Sequence, residues 1–243
     1  MLAYQTALSK EKLGASEPLS IERVREALAD AETKLGAGRR DEAIGDLVYL
    51  IETPRFDPFR TFDEGRDAAF LLGDALGRAG ATLPARAYLV PLLDRNPADV
   101  WARRAVRSLV DFGLDSDDPA AFVRDLARLP PGSPEEVTSD VAYLSGRAAQ
   151  RDGKDDVALA AFAKVTPRSR FWAQATYLSG LIQVGHGRLT DGENQFCKVA
   201  DVKRTPRMAL AFGGGDFFEV RDLARLGLGR VAHEQYRFDD SRY

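Results

Sequence analysis

The chain has 243 residues and a net charge of −3, with 44% hydrophobic and 29% charged residues. This length is enough for one large domain or two small ones, and the slightly acidic balance excludes an overall basic field that would hold nucleic acid. No apolar run approaches the roughly 20 residues that span a bilayer, so we expect no direct membrane insertion.

The first 20 residues, "MLAYQTALSKEKLGASEPLS", read as a polar extension or an N-terminal cap (residues 1–20). They lack the basic and apolar regions of an intact secretory signal, and a periplasmic (or lipoprotein-anchored) and a cytoplasmic location both stay open. Ser20 is a suitable N-cap for a helix that begins at Ile21. From there we predict an irregular N-terminal group of helical repeats over 21–129, ended by a Pro-rich break at 130–134.

Regular repeats are predicted after the break, over 135–243. The motif "YLSG" occurs at Tyr143–Gly146 and again, 34 residues later, at Tyr177–Gly180. Three further pairs keep this interval: Gly153 and Gly187, Phe162 and Phe196, Val165 and Val199. A fixed interval is the signature of a repeat architecture. We predict that each copy is a helix, a short turn at a glycine and a second helix.

The repeat spacing fails in two places near the end of the chain. About half a repeat is inserted at 200–220, where three glycines end one segment before Asp216 caps the next. The last repeat has only the first turn of its second helix when the sequence stops at Tyr243. We therefore expect a truncated last repeat in a fragment of a longer protein.

Gly146 and Gly180 lie inside predicted helices, where a glycine costs about 0.5–1 kcal/mol relative to alanine. Such a glycine is typical of two helix backbones that approach more closely than a side chain permits. The second helices offer Ala158 and Gly192 at the facing positions. We predict that small residues face small residues and so close each antiparallel hairpin tightly.

This pattern resembles the tetratricopeptide repeat family, in which Leu-Gly, a turn glycine, an alanine, an aromatic residue and a proline recur. Residues 66–97 match it best, 139–171 and 173–206 follow, 24–54 is a looser copy and 101–129 is a poor one. The best copy matches through Leu72, Gly73, Leu76, Gly80, Ala85, Leu89, Leu92 and Pro97. The resemblance implies an all-α fold, a right-handed α-solenoid of about five to six stacked antiparallel helix hairpins.

In this family the first helices of the hairpins line a concave groove. The resemblance implies that the residues facing it are Phe70, Asp74, Arg78, Tyr143, Arg147, Arg151, Tyr177, Leu181, Arg230 and His233. Aromatic residues and arginines are enriched at binding hot spots, so a protein or peptide partner is implied, and arginines suit an acidic one. An alternative stays open, in which the tyrosines pack between neighbouring repeats and the arginines are only solvated.

The sequence departs from the family at two positions and from one subfamily. The usual aromatic residue after the helical glycine is replaced by Ala149 and Gln183. The lysine and asparagine clamp of chaperone-binding repeats is excluded, because the corresponding groove position is aromatic, as at Tyr143.

Strings that imitate catalytic or ligand-binding motifs lack the context that those motifs need. "GLGRVA", from Gly227, follows a helical segment rather than a strand. "DSDDP", from Asp115, lacks the glycine and the glutamate of a calcium loop. His186 and His233 are far apart in sequence, and Cys197 reads as a buried structural thiol. We therefore predict no enzyme activity, no cofactor and no metal site.

Two functions remain open. The first is a non-catalytic protein–protein interaction module that binds a partner peptide or helix in the groove, as a scaffold part of a larger bacterial multiprotein complex. The alternative is a structural spacer or oligomerisation segment of an envelope secretion or gliding-motility assembly, with self-association through the open C-terminal repeat. The bacterial origin is inferred from a composition rich in Ala, Arg, Gly and Asp and poor in Lys, Ile and Asn.

Overall fold

The computed structural model describes residues 19–94, 99–201 and 215–235, and all regular structure in these ranges is helical. The predicted all-α class is therefore confirmed for the described part of the chain. Two short 3₁₀ segments, Pro54–Phe59 and Val90–Leu92, follow α-helices. The α-helices in chain order are α1 (Ile21–Gly36), α2 (Arg40–Glu52), α3 (Asp63–Arg78), α4 (Thr82–Leu89), α5 (Val100–Asp115), α6 (Pro119–Leu126), α7 (Glu135–Arg151), α8 (Asp155–Phe162), α9 (Trp172–Gly185), α10 (Leu189–Ala200) and α11 (Gly215–Glu234).

The described residues fall into two compact units. The first unit contains the residues up to Phe112 together with Asp125–Gly132, and the second contains Gly113–Arg124 together with the residues from Ser133 onward. Helices α5 and α6 therefore have residues in both units. The predicted Pro-rich break lies where the chain leaves the first unit for the last time.

Three of the sequence predictions fall largely or wholly outside the described residues. They are the N-terminal extension, most of the insertion at 200–220 and the truncated end of the last repeat. At the N-terminal boundary, the backbone N–H of Arg23 donates to Oγ of Ser20 at 3.3 Å, which confirms Ser20 as the N-cap of α1.

Four helix hairpins share one turn, built on a glycine in the left-handed region. The φ angles are 77° at Gly38, 83° at Gly80, 71° at Gly153 and 74° at Gly187. In each turn the residue after the glycine donates its backbone N–H to the carbonyl five residues earlier, at 2.9 Å. This bond satisfies a carbonyl at the end of the first helix. Glycine adopts such a φ at no steric cost, and the predicted turn glycines are confirmed at all four positions.

The glycines inside the first helices contact a large side chain of the second helix, sixteen residues later in the chain. A Cβ built on Gly146 would lie 2.4 Å from Cε1 of Phe162, and one on Gly180 would lie 2.5 Å from Cε1 of Phe196. Real Cβ atoms do not approach so closely, so each ring occupies the space that the glycine leaves. At both glycines a ring of the second helix therefore lies where the sequence predicted a small residue.

The first unit contains the same relation, since a Cβ on Gly73 would lie 2.7 Å from Cγ of Leu89. The prediction that small residues alone face these glycines is incomplete, because a ring or a leucine fills the space. It holds only in part for Gly192, where a Cβ would lie 3.0 Å from the carbonyl oxygen of Gly180 and 2.4 Å from Cγ2 of Val184.

Consecutive helices pack together within each unit. In the first unit α1 to α4 pack in sequence and α1 also contacts α3, while in the second unit α7 to α11 pack in sequence and α9 also contacts α11. Among the helices described, none has both the length and the apolar character needed to cross a membrane. The cores include Val24, Leu28, Leu47, Ile51, Phe56 and Leu72 in the first unit, and Tyr143, Phe162, Ala173, Phe196, Val199 and Val231 in the second.

Candidate functional site

All ten residues predicted to face a groove lie on helices that the repeat pattern assigns as first helices. They are Phe70, Asp74 and Arg78 on α3 in the first unit, and Tyr143, Arg147 and Arg151 on α7, Tyr177 and Leu181 on α9, and Arg230 and His233 on α11 in the second. The two sets belong to different units, and the second unit carries the larger set.

Tyr143 packs inside the second unit and does not present its ring to solvent. Its side chain is 5% exposed, and its ring stacks on that of Phe171 with centroids 4.3 Å apart and an interplanar angle of 12°. The ring of Phe162 packs on it at 6.0 Å. This geometry agrees with the alternative, in which the tyrosines pack between hairpins, and it removes the Tyr143 ring from direct contact with a partner.

The hydroxyl of Tyr143 reaches Arg147, which lies one helical turn later on α7. Burial raises the pKa of Tyr143, and the charge of Arg147 and its hydrogen bond to the hydroxyl both oppose that rise. The hydroxyl of Tyr143 therefore lies near the exposed guanidinium of Arg147.

Tyr177 repeats this arrangement on the next first helix. Its ring packs on that of Phe196 with centroids 5.7 Å apart, as Tyr143 packs on Phe162. Tyr177 is half-buried, and burial raises the pKa of its hydroxyl. Leu181, one turn later on α9, is 40% exposed. In both helices a packed tyrosine precedes an exposed residue at the position four later.

The arginines predicted to face the groove differ in whether they form an ion pair with a carboxylate. Arg78 pairs with Asp74 at 2.7 Å, and Arg230 pairs with Glu234 at 2.9 Å. Arg147 is exposed, and no carboxylate among the described residues lies within ion-pair distance of it. It is the predicted groove arginine whose charge remains available to a partner.

Arg147 lines a cleft of about 430 Å³ in the second unit, which we call the arginine cleft. The cleft is lined by Gly113, Leu114, Pro119, Arg147, Gln150, Arg151 and Leu178. On one side Arg151 donates to the backbone carbonyl of Ser116 at 2.8 Å, and its guanidinium lies 3.6 Å from the fully exposed carboxylate of Asp117. The cleft combines two guanidinium groups and one amide with three apolar side chains.

Sequence reasoning found Arg147 and Arg151 and missed the apolar walls. Leu114 and Pro119 belong to the segment 101–129, which matches the repeat pattern poorly. The pattern therefore does not predict which side chains of this segment face the groove. Leu178 follows Tyr177 by one residue and falls outside the groove positions that the resemblance supplies.

In the first unit the predicted Phe70 joins an aromatic and cationic cluster. Its ring lies 6.1 Å from that of Trp101, and the guanidinium of Arg104 lies 5.6 Å from the Phe70 ring and 5.1 Å from the Trp101 ring. Asp74, on the same helix, accepts a hydrogen bond from Oγ of Ser108 at 2.7 Å. These ring contacts, cation–π contacts and the hydrogen bond join residues of α3 to residues of α5 within the first unit.

A second cleft, of about 230 Å³, lies in the first unit and carries carboxylates. Oδ1 of Asp67 is buried there without a hydrogen-bond partner among the described residues. Burial is the main cause that raises the pKa of Asp67 to about 6, the charges of Glu32 and Glu64 add to it and Arg104 opposes it. The lining residues are Arg25, Leu28, Ala29, Glu32, Asp63, Glu64, Asp67 and Trp101.

The described side chains offer charge, hydrogen bonds and apolar contact. Within the described ranges no group of three or more His, Cys, Asp or Glu side chains could hold a metal ion. Nε2 of His186 lies 2.7 Å from Oδ2 of Asp155 in an exposed pair, and His233 is exposed on α11. Cys197, predicted to be a buried thiol, is only partly buried and packs against a core cluster of the second unit.

Comparisons of the chain with protein-family models, with curated proteins and with solved structures found no match. The resemblance to tetratricopeptide repeats therefore depends on the residues quoted above.

Proposed function

We propose that this chain is a non-catalytic protein–protein interaction module, in which the hairpins of each unit stack in the manner of tetratricopeptide repeats. It holds a peptide or a helix of a protein partner on the face that α7 and α9 present, as a scaffold part of a larger bacterial complex. The observation that carries this proposal is Arg147, an exposed guanidinium that lines the arginine cleft and has no carboxylate partner within ion-pair distance among the described residues.

The support beneath this face favours recognition of a partner. The stack of Tyr143 on Phe171 packs α7 one turn before Arg147, and the contact of Tyr177 with Phe196 packs α9 one turn before Leu181. Side chains that are already ordered lose less conformational entropy on binding. The binding surface is therefore largely preorganised before a partner binds.

The residue types on this face also favour a protein partner. Arg147 and Arg151 are exposed, and Leu181 is 40% exposed. Arginine is enriched where interfaces concentrate their binding energy, and an exposed leucine beside it gives apolar area to bury. The net charge of −3 argues against a nucleic-acid backbone as the partner.

The test is affinity capture from a lysate of the organism that encodes the chain, with the wild-type protein and the variants Arg147→Gln and Arg168→Gln. Arg168 is an exposed arginine of the same unit and does not line the arginine cleft, so it is a matched control. We expect a protein that the wild type and Arg168→Gln retain and that Arg147→Gln loses, with equal melting temperatures. Equal retention by all three proteins contradicts the proposal.

A second candidate function, self-association as a structural segment, is favoured by the exposed leucines of α11. Leu226 is 66% exposed and Leu223 is 37% exposed, which is unusual for large apolar side chains on one helix face. If α11 is a self-association surface, the wild type sediments as an oligomer and Leu226→Asp as a monomer. Leu83→Asp is the control, since Leu83 is 74% exposed in the first unit. A wild-type chain that sediments as a monomer at all concentrations removes this candidate.

A further inference from the structure

We propose that the arginine cleft binds an acidic peptide segment in which a carboxylate side chain lies beside an apolar one. This inference depends on the proposed function and specifies the chemistry of the partner. It is argued from the charges, the walls and the size of the cleft.

The positive charge of the arginine cleft favours an anionic ligand. Arg147 is exposed and has no carboxylate partner among the described residues, so the five N–H donors of its guanidinium remain for a ligand. Arg151 gives one donor to the carbonyl of Ser116, and its contact with Asp117 is loose and exposed. The planar fork of an arginine matches a carboxylate through two parallel hydrogen bonds.

The turn of α7 that precedes Arg147 is held by packing. Tyr143 is held by its stack on Phe171 at 4.3 Å and lies one helical turn before Arg147. A helical turn that is held by packing loses less conformational freedom on binding than a mobile segment. The cleft therefore presents a defined geometry to the incoming carboxylate.

The apolar walls of the cleft favour a ligand that carries an apolar group next to its anionic group. Leu114, Pro119 and Leu178 line it together with the arginines, and a solvated ion alone would leave these side chains in contact with water. Burying an apolar side chain against them is favourable, because it removes apolar surface from water. Gln150 adds an amide that can pair with a peptide backbone group.

The size of the cleft limits what can enter. A volume of about 430 Å³ lies at the lower end of the range of about 300–1,000 Å³ for ligand pockets. It has room for two adjacent side chains of an extended peptide, and it is too small for a folded domain. We therefore expect a short linear segment that carries Glu or Asp next to Leu, Ile, Val or Phe.

The experiment is fluorescence anisotropy with the full chain and a labelled peptide, acetyl-Gly-Ser-Glu-Leu-Glu-Leu-Ser-Gly-amide. Two matched peptides replace both glutamates with glutamine or both leucines with alanine, and a third replaces both glutamates with phosphoserine. We expect the Glu-Leu peptide to bind, and the glutamine and alanine peptides to bind about tenfold more weakly or not at all. The phosphoserine peptide tests whether the cleft prefers a phosphate to a carboxylate. Equal binding of the glutamine peptide, or tighter binding of the phosphoserine peptide, overturns the proposal.

Protein variants locate the binding in the cleft. Arg147→Gln should weaken the Glu-Leu peptide about tenfold, Arg147→Lys should weaken it less because the charge stays and the fork is lost, and Arg168→Gln should leave it unchanged. In ¹H–¹⁵N spectra the amide signals that move most should belong to residues lining the cleft. Equal losses for Arg147→Gln and Arg168→Gln, or signals that move only elsewhere, overturn the proposal.

The failure of this inference is distinguishable from the failure of the proposed function. If no peptide binds and the capture experiment still yields a partner that depends on Arg147, the partner chemistry is wrong and the function stands. If no peptide binds and no such partner is captured, both the proposed function and the inferred partner chemistry are wrong.

Discussion

The ring of Phe196 occupies the space that a side chain at Gly180 would need, since a Cβ at that glycine would lie 2.5 Å from Cε1 of the ring. Phe162 and Gly146 repeat this relation at 2.4 Å. The helical glycine and the buried ring therefore form one packing arrangement, which occurs twice in the second unit.

The first prediction concerns this packing arrangement. We expect Gly180→Ala to lower the free energy of unfolding by about 1–3 kcal/mol, because Phe196 is 1% exposed and has no room to move away. The better helix propensity of alanine offsets only about 0.5–1 kcal/mol of this. Urea denaturation measures the difference. Gly185→Ala is the control on the same helix, where a Cβ would meet nothing within 4 Å, and a loss of stability equal to that of Gly180→Ala would contradict the account.

The second prediction concerns the shared turn. Gly153 and Gly187 have φ angles of 71° and 74°, in the left-handed region, where an alanine costs about 1–2 kcal/mol. We expect either alanine variant to be less stable by that amount, and Gly153→Asn to be less affected, since asparagine tolerates this region better. Thermal unfolding checks the order of the variants. An asparagine variant that is less stable than the alanine variant would count against this explanation.

The sequence predicts the turns well, because the physical requirement at each is local. A positive φ between two helices demands glycine, and the residues that follow repeat the same backbone hydrogen bond at all four turns. The helical glycines are also predictable from their 34-residue interval. Their neighbours are not, because the ring that meets Gly146 depends on how two antiparallel helices cross, and Phe162 is only one of the apolar residues on the second helix.

The candidate site is harder to predict for the same reason. Arg147 follows from the repeat register, whereas the burial of Tyr143 depends on Phe171, which immediately precedes α9 and has no assigned groove position. The walls at Leu114 and Pro119 come from the least regular repeat. The orphaned oxygen of Asp67 depends on packing between α1, α3 and α5 residues, and no motif in the sequence marks it.

The third prediction separates the two roles of Tyr143. Tyr143→Phe keeps the stack on Phe171 and removes the hydroxyl that Arg147 contacts, so we expect a change in stability of no more than about 1 kcal/mol together with weaker binding of the Glu-Leu peptide. Tyr143→Ala should instead destabilise the chain by about 3–5 kcal/mol, because the ring is 5% exposed. Chemical denaturation and anisotropy on the same samples measure both effects. Peptide binding by Tyr143→Phe that equals wild type would show that the hydroxyl does not support Arg147.

The fourth prediction concerns pH. The folded-state pKa of Asp67 is about 6, above its ordinary value of 3.8, so the folded chain holds this proton more tightly than the unfolded chain. The stabilising contribution is full below about pH 4 and is lost as the pH rises through about 6. We expect Asp67→Asn to be more stable than wild type at pH 7 by about 1–2 kcal/mol, after allowance for the partial exposure of the carboxyl group.

Urea denaturation of wild type and Asp67→Asn between about pH 4 and pH 7 tests this. The two stability curves should converge at the acidic end and separate as the pH rises. Asp63→Asn is the control, because Asp63 lines the same cleft and pairs with Arg66. Curves for wild type and Asp67→Asn that run parallel over this range would contradict the assignment.

The most direct test of the central claim is photo-crosslinking in living cells from Gln150, which lines the arginine cleft. A photo-reactive phenylalanine derivative replaces Gln150, in one strain with Arg147 intact and in another with Arg147→Gln. The account predicts a covalent adduct with a protein partner in the first strain, at an acidic and apolar segment of that partner, and its loss in the second. An adduct that forms equally in both strains, or no adduct in either, would contradict the account.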